Sequence, residues 1–239
     1  MLSKILLILF ISTIFSLSIT SNSANASNDI IPSNIGIPSN TGPSLGPQIF
    51  KDDKTAFYTV TKNENMGRRK EEIVKMLTDY ENQGKGKKFE LSNVSETVQL
   101  KIKDQLYTWS LVSMGFKFFT KVNIQEQDKC ATTIISNTTP DVEEISILEK
   151  ESKIKNHKYN GEYLSSNPFF KLANVDITLT EVFDEKDKTK FLYTKVNYLG
   201  KFKKGDSSMA YWTPEYFLKS TLEKATNELF SALKPSTLK

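Results

Sequence analysis

The chain of 239 residues contains one Cys and one His. That scarcity excludes a Cys/His zinc site, an iron–sulfur cluster and a disulfide framework. Any Ser-His-Asp or Cys-His mechanism would have to run through His157 alone. His157 stands between lysines in Lys155-Asn156-His157-Lys158 and reads as a surface residue. Cys130 opens the apolar run Cys130–Ser136. It reads either as a small buried hydrophobe or as a free thiol that pairs between chains. The pattern GxxxxGK[ST], the pattern GxGxxG and a G-x-S-x-G elbow are all missing. The net charge is only +4, too mild for a dedicated nucleic-acid binder. With 38% hydrophobic and 11% aromatic residues, the chain can nevertheless bury a core.

Residues 1–26 read as a secretory signal peptide. Lys4 supplies the positive start, Ile5–Ile19 the apolar stretch, and Ala24-Asn25-Ala26 the small-x-small cleavage site. The apolar stretch is shorter than the roughly 20 residues a membrane span needs. No later segment is apolar enough to span, so no transmembrane segment is expected in the mature chain, which is expected to be periplasmic or secreted. Residues 27–48 carry four prolines (Pro32, Pro38, Pro43, Pro47) among Gly, Ser and Asn, and read as a flexible tether. A single folded domain is expected over residues 49–235.

Within that span Thr55–Thr61 is rich in β-formers and predicts a strand. Met66, Ile73, Leu77 and Tyr80 predict a helix over 66–80. Asn93 followed by Glu96 has the form of a capping box, and Val98, Ile102, Leu106 and Trp109 recur at helical spacing, which predicts a helix ending near Gly115. Strands are predicted after Phe116 and over Cys130–Ser136, and a hairpin from Val175 to Leu199. The charged run Asp141–Lys158 reads as a surface helix or an ordered excursion. Thr213-Pro214-Glu215 opens a last helix carrying Leu218, Leu222, Ala225, Leu229 and Leu233. The expected fold class is α+β: a mixed, mostly antiparallel sheet with helices packed on one face.

The helix ending at Gly115-Phe116, the strand after it, the hairpin Val175–Leu199, the terminal helix and the opening Lys54-Thr55-Ala56-Phe57-Tyr58 together resemble small Gram-negative envelope proteins. These are periplasmic lipoproteins and periplasmic domains related to curli-secretion proteins and the TolB N-terminal domain. The resemblance implies an assembly or binding role in the envelope, with another envelope or surface protein as partner and no catalytic residues. The chain departs from the pattern in having no lipobox Cys and in carrying the insertion Asp141–Lys158.

Adjacent acids such as Glu71-Glu72 and Asp184-Glu185 point apart on a helix or strand and read as solvated charges rather than a catalytic pair. Lysines interleave with Asp184, Glu185 and Asp187, which makes that loop a charged hairpin tip rather than a calcium loop. No metal site, cofactor or enzymatic activity is expected. One candidate contact region remains. Lys201, Phe202, Lys203 and Lys204 lie close in sequence to Tyr211 and Trp212, and lysines interleaved with aromatics can grip an anionic polymer or lipid head group. The expected function is an exported, non-enzymatic binding or assembly protein of the bacterial envelope. The alternative is a secreted surface or host-interaction factor that meets anionic surfaces through this region.

Overall fold

A computed structural model describes residues 46–53, 56–87, 89–91, 94–112, 117–127, 132–152, 158–159, 162–163 and 169–234. The leader-like segment, the tether up to residue 45, Asn93, Gly115, Phe116, Cys130 and His157 lie outside these residues.

The described chain runs β1 (Gln48–Asp52), β2 (Phe57–Met66), α1 (Lys70–Thr78), a 3-10 turn (Tyr80–Asn82), β3 (Val94–Ile102), β4 (Gln105–Val112), β5 (Lys117–Gln127) and β6 (Thr132–Thr138). It continues with α2 (Val142–Ser152), a two-stranded ribbon of β7 (Lys158–Tyr159) and β8 (Glu162–Tyr163), β9 (Phe170–Phe183), β10 (Phe191–Lys204), α3 (Ser208–Trp212) and α4 (Glu215–Leu233). Eight strands form one sheet in the order β1-β2-β10-β9-β6-β5-β4-β3. Every pairing in it is antiparallel, so the sheet is not mixed.

Alternation sorts the sheet into two faces. Tyr58, Val60, Lys62 and Met66 of β2 are buried, and their register partners on β10 include Phe202, Tyr198 and Thr194. Ile177 and Leu179 of β9 and Ile135 of β6 continue the same face through their pairings. α4 lies over it with one stripe, Leu218, Leu222, Thr226, Phe230 and Leu233, all buried. α1 adds Ile73 and Leu77 to the same core. The C-terminal helix is tied at several points along its length. Lys51 Nζ reaches Glu215 at 2.8 Å, Lys62 Nζ reaches Asn227 Oδ1 at 2.8 Å, and Arg68 Nε donates to the Leu233 carbonyl at 3.0 Å. That last bond satisfies a carbonyl that a helix C-terminus leaves without an intrahelical partner.

α2 forms a smaller layer on the opposite face. Its Leu148 clusters with Tyr107, Trp109 and Phe119, backed by Val98, Leu100 and Ile102. The α+β class with a dominant sheet therefore stands, and the two helices closing the main core share one face.

The helix expected over Asn93–Trp109 is instead the hairpin β3–β4, turned at Lys103, whose φ is 54°. Val98, Leu100 and Ile102 alternate along one strand and Tyr107 and Trp109 along the next, and this period of two prevails over the helical spacing once both strands have partners. The helix expected over 66–80 is shorter, because Met66 ends β2 as a buried strand residue. At the last helix the flanking residue is Pro214, not Thr213, and it makes no side-chain cap.

Candidate functional site

The basic and aromatic residues singled out in the sequence sit at the end of β10 and in the turn that follows. Strand alternation divides the four consecutive residues. Phe202 faces the main core, with its ring 5.5 Å from that of Phe170. Lys201 and Lys203 pair with Thr59 and Phe57 and share their open face. The Lys203 ammonium stands 5.7 Å from the Phe57 ring. Lys204 Nζ donates to the Thr213 carbonyl at 3.4 Å, which ties the strand end to the turn carrying the aromatic pair. Phe202 is thus half-buried against the main core, Lys201 and Lys203 face the other side of the sheet, and Lys204 alone is tied to the turn.

Tyr211 and Trp212 are 75% and 79% exposed, and their rings meet edge-on at 5.3 Å. They end α3, a five-residue helix whose start is capped by the Ser207 hydroxyl accepting from the Ala210 amide at 3.0 Å. Ala210 is fully buried and anchors the turn. On either side of this turn in the chain, Phe169 packs on Phe217 with ring centres 6.1 Å apart, and the Gly205 amide donates to the Phe169 carbonyl at 2.8 Å. The two rings are therefore held out from a fixed base.

Sequence reasoning missed Tyr216, which is 60% exposed on the first turn of α4. The signal was present: two positions before Leu218, it falls roughly opposite the stripe that begins there. The nearby acids are neutralised. Glu215 contacts Lys51 and Lys219 at 2.8 and 2.9 Å, and hydrogen bonds from those two ammonium groups pull its carboxyl down to about 2. Asp206 lies 2.5 Å from Lys171.

Among the described residues no group of three or more His, Cys, Asp and Glu side chains could hold a metal ion. No described helix is long and apolar enough to cross a membrane. The hairpin tip holds its acids in Asx-type turns: Asp184 Oδ1 accepts from the Lys186 and Asp187 amides, and Asp187 Oδ1 from Thr189.

No protein-family model matches the chain, and no curated protein matches it. Solved structures align with it at low similarity. A STAR-related lipid transfer protein fragment from Xanthomonas axonopodis is 14% identical with a TM-score of 0.48, covering 80% of this chain and 97% of that one. Protein Ms6760 from Mycobacterium smegmatis is 10% identical with a TM-score of 0.41, covering 82% and 100%. Ara h 8.0201 is 8% identical with a TM-score of 0.41, covering 74% and 95%. All three scores lie below 0.5, so function is read from the chain's own residues.

Proposed function

We propose that this chain is an exported, non-enzymatic binding protein that docks on anionic lipid surfaces through its aromatic turn. The observation that carries the reading is the Tyr211–Trp212 pair, both rings more than 70% exposed on a turn anchored by buried Ala210. Tyr and Trp combine an apolar ring with a polar edge and favour the boundary between head groups and acyl chains. Lysines beside them add attraction to anionic head groups, about 1 kcal/mol for each near the surface. Lys204 is tied to the turn through the Thr213 carbonyl, Lys201 and Lys203 precede it on the same strand end, and the pairing of Glu215 and Asp206 with lysines removes local repulsion. Location in the periplasm or outside the cell belongs to the proposal and rests on the leader-like first 26 residues.

Co-sedimentation of the mature chain with vesicles tests it. Vesicles containing phosphatidylglycerol should retain the protein, and pure phosphatidylcholine vesicles should retain much less. Tyr211→Ser combined with Trp212→Ser should abolish retention, and Lys201→Glu with Lys203→Glu should reduce it strongly. Binding to heparin with no vesicle binding would point to an anionic polymer and overturn the lipid reading. Retention unchanged by the aromatic variants would overturn the site.

A further inference from the structure

On the face of the sheet opposite α4, the four strands β2, β10, β9 and β6 form a groove of about 540 Å³. That volume lies within the range of small-molecule sites. Two cross-strand rows line it. One row runs Thr61, Leu199, Asp176, Ser136 and the next runs Asn63, Asn197, Thr178, Ile134, each residue paired in register with its neighbour. All but Asn63 are half-buried. The groove thus presents three hydroxyls, two carboxamides and one carboxylate on a surface that is mostly carbon, with Leu199 and Ile134 set diagonally across it and Tyr198 also lining it.

We infer that this groove binds a neutral oligosaccharide. Two carboxamides offer N–H donors and carbonyl acceptors, the Thr61 and Thr178 hydroxyls offer both roles, and Ser136, whose proton goes to Asp176, and Asp176 itself accept only. The Ser136 hydroxyl donates to Asp176 Oδ1 at 2.6 Å, which holds the carboxylate within its row. A partner that satisfies this set must present O–H donors and oxygen acceptors a few Å apart, as the hydroxyls of a sugar ring do. Leu199 and Ile134 supply an apolar patch for the C–H face of such a ring. An apolar ligand would bury the carboxamides without partners, an outcome that is strongly unfavourable. Charge favours neither sign of ion: Asp176 stands among the rows, and exposed Lys195 and Lys201 project on the same face from β10 at either side, so an ion of either sign meets attraction and repulsion together. Rings stacking across several strands would follow the rows, so a short chain fits better than a single sugar. The site is separate from the aromatic turn and does not depend on the lipid reading.

The test is titration calorimetry of the full mature chain with maltohexaose, cellohexaose, xylohexaose and chitohexaose, and with a heparin hexasaccharide as the acidic arm. At least one neutral oligosaccharide should bind with Kd below ~1 mM. Asn197→Ala and Asp176→Ala should each weaken that binding about tenfold or more. Asn63→Ala, at an exposed position, gives a third variant should Asp176→Ala unfold. Tyr211→Ser with Trp212→Ser should leave sugar binding unchanged, which separates this site from the lipid surface. No binding by any neutral oligosaccharide, binding of the heparin hexasaccharide alone, or binding that survives Asn197→Ala and Asn63→Ala would overturn the proposal.

Discussion

The Tyr107 hydroxyl donates to Glu144 Oε1 at 2.9 Å, and this bond fastens α2 to the sheet face away from α4. The same oxygen takes Lys121 Nζ at 2.6 Å. Glu144 also closes a reciprocal cap with Asp141: its amide donates to Asp141 Oδ1 at 2.8 Å, and its Oε2 accepts the Asp141 amide at 3.1 Å. Beneath it lies the aromatic strip of Tyr107, Trp109 and Phe119.

Glu144→Gln should therefore loosen α2 and lower stability by about 1.5 to 3 kcal/mol, the range for hydrogen bonds to charged groups. Partial burial raises the Glu144 carboxyl, but hydrogen bonds from Lys121, the Asp141 amide and Tyr107 outweigh it and leave it below its ordinary value. Its contribution is present above the ordinary carboxyl range and is lost as pH falls through the lowered value. Burial first, and Glu144 second, push the Tyr107 phenol up to about 12. That contribution is present below pH ~10 and lost as pH rises toward 12. Denaturant unfolding followed by Trp fluorescence should show both losses in the native chain and neither in full in Glu144→Gln. An unchanged acid limb in that variant would refute the latch.

Gly200 owes its place to a close approach. A Cβ there would stand 2.5 Å from Phe202 Cε2 and 3.0 Å from Tyr198 Cε1. Phe202 and Tyr198 are both packed into the main core and cannot swing away freely. Gly200→Ala should cost about 1 to 3 kcal/mol by overpacking. Adding Phe202→Ala removes the clash, so the double variant should be less destabilised than the sum of the two single ones. Additive losses would show that the clash is not the cause.

Lys62 is 7% exposed, with its ammonium 2.8 Å from Asn227 Oδ1, 3.7 Å from Glu64 and 4.8 Å from the Phe230 ring centre. Burial pushes it below the usual lysine range; Glu64 pulls it up and Lys234 pushes it down. Lys62→Met keeps the apolar stem and removes the buried charge, and should change stability by less than ~1 kcal/mol. Glu64→Gln leaves Lys62 and Lys234 facing each other and should cost about 1 to 3 kcal/mol, short of a fully buried pair because Lys234 is half-exposed. Thermal unfolding of the two variants checks the order; Lys62→Met as the more damaging would reverse it.

Two four-residue patterns show where reading from sequence worked and where it failed. Asn93-Val-Ser-Glu96 looks like a helix start, yet Val94–Ile102 is a strand. Asp141-Val-Glu-Glu144 has the same spacing and closes a real capping box. The difference is not local. Residues after 96 meet β4 and pair with it, whereas α2 lies on the sheet rather than in it and buries Ile145 and Leu148 as a helical stripe. The turn at Lys103–Asp104 carries neither Gly nor Pro, so the usual sign of a hairpin was missing. Of the candidate contact residues, Tyr211 and Trp212 are exposed, whereas Phe202 turns inward because strand side chains alternate.

The amino-acid sequence by itself determined the α+β class, the long hairpin before the last helix and the Leu218, Leu222 and Leu233 positions of that helix's stripe, because apolar period is a local property; Ala225, expected on the stripe, is exposed, and Thr226 and Phe230 are buried instead. It also determined the absence of a Cys/His site, since one residue of each kind is too few. Only the tertiary structure decided that β3 and β4 are strands, that Phe202 packs against the core, and that Thr61, Leu199, Asp176 and Ser136 stand in one row. Register between strands far apart in sequence fixes those outcomes. No local pattern encodes it, because it follows from the burial that the whole sheet achieves at once.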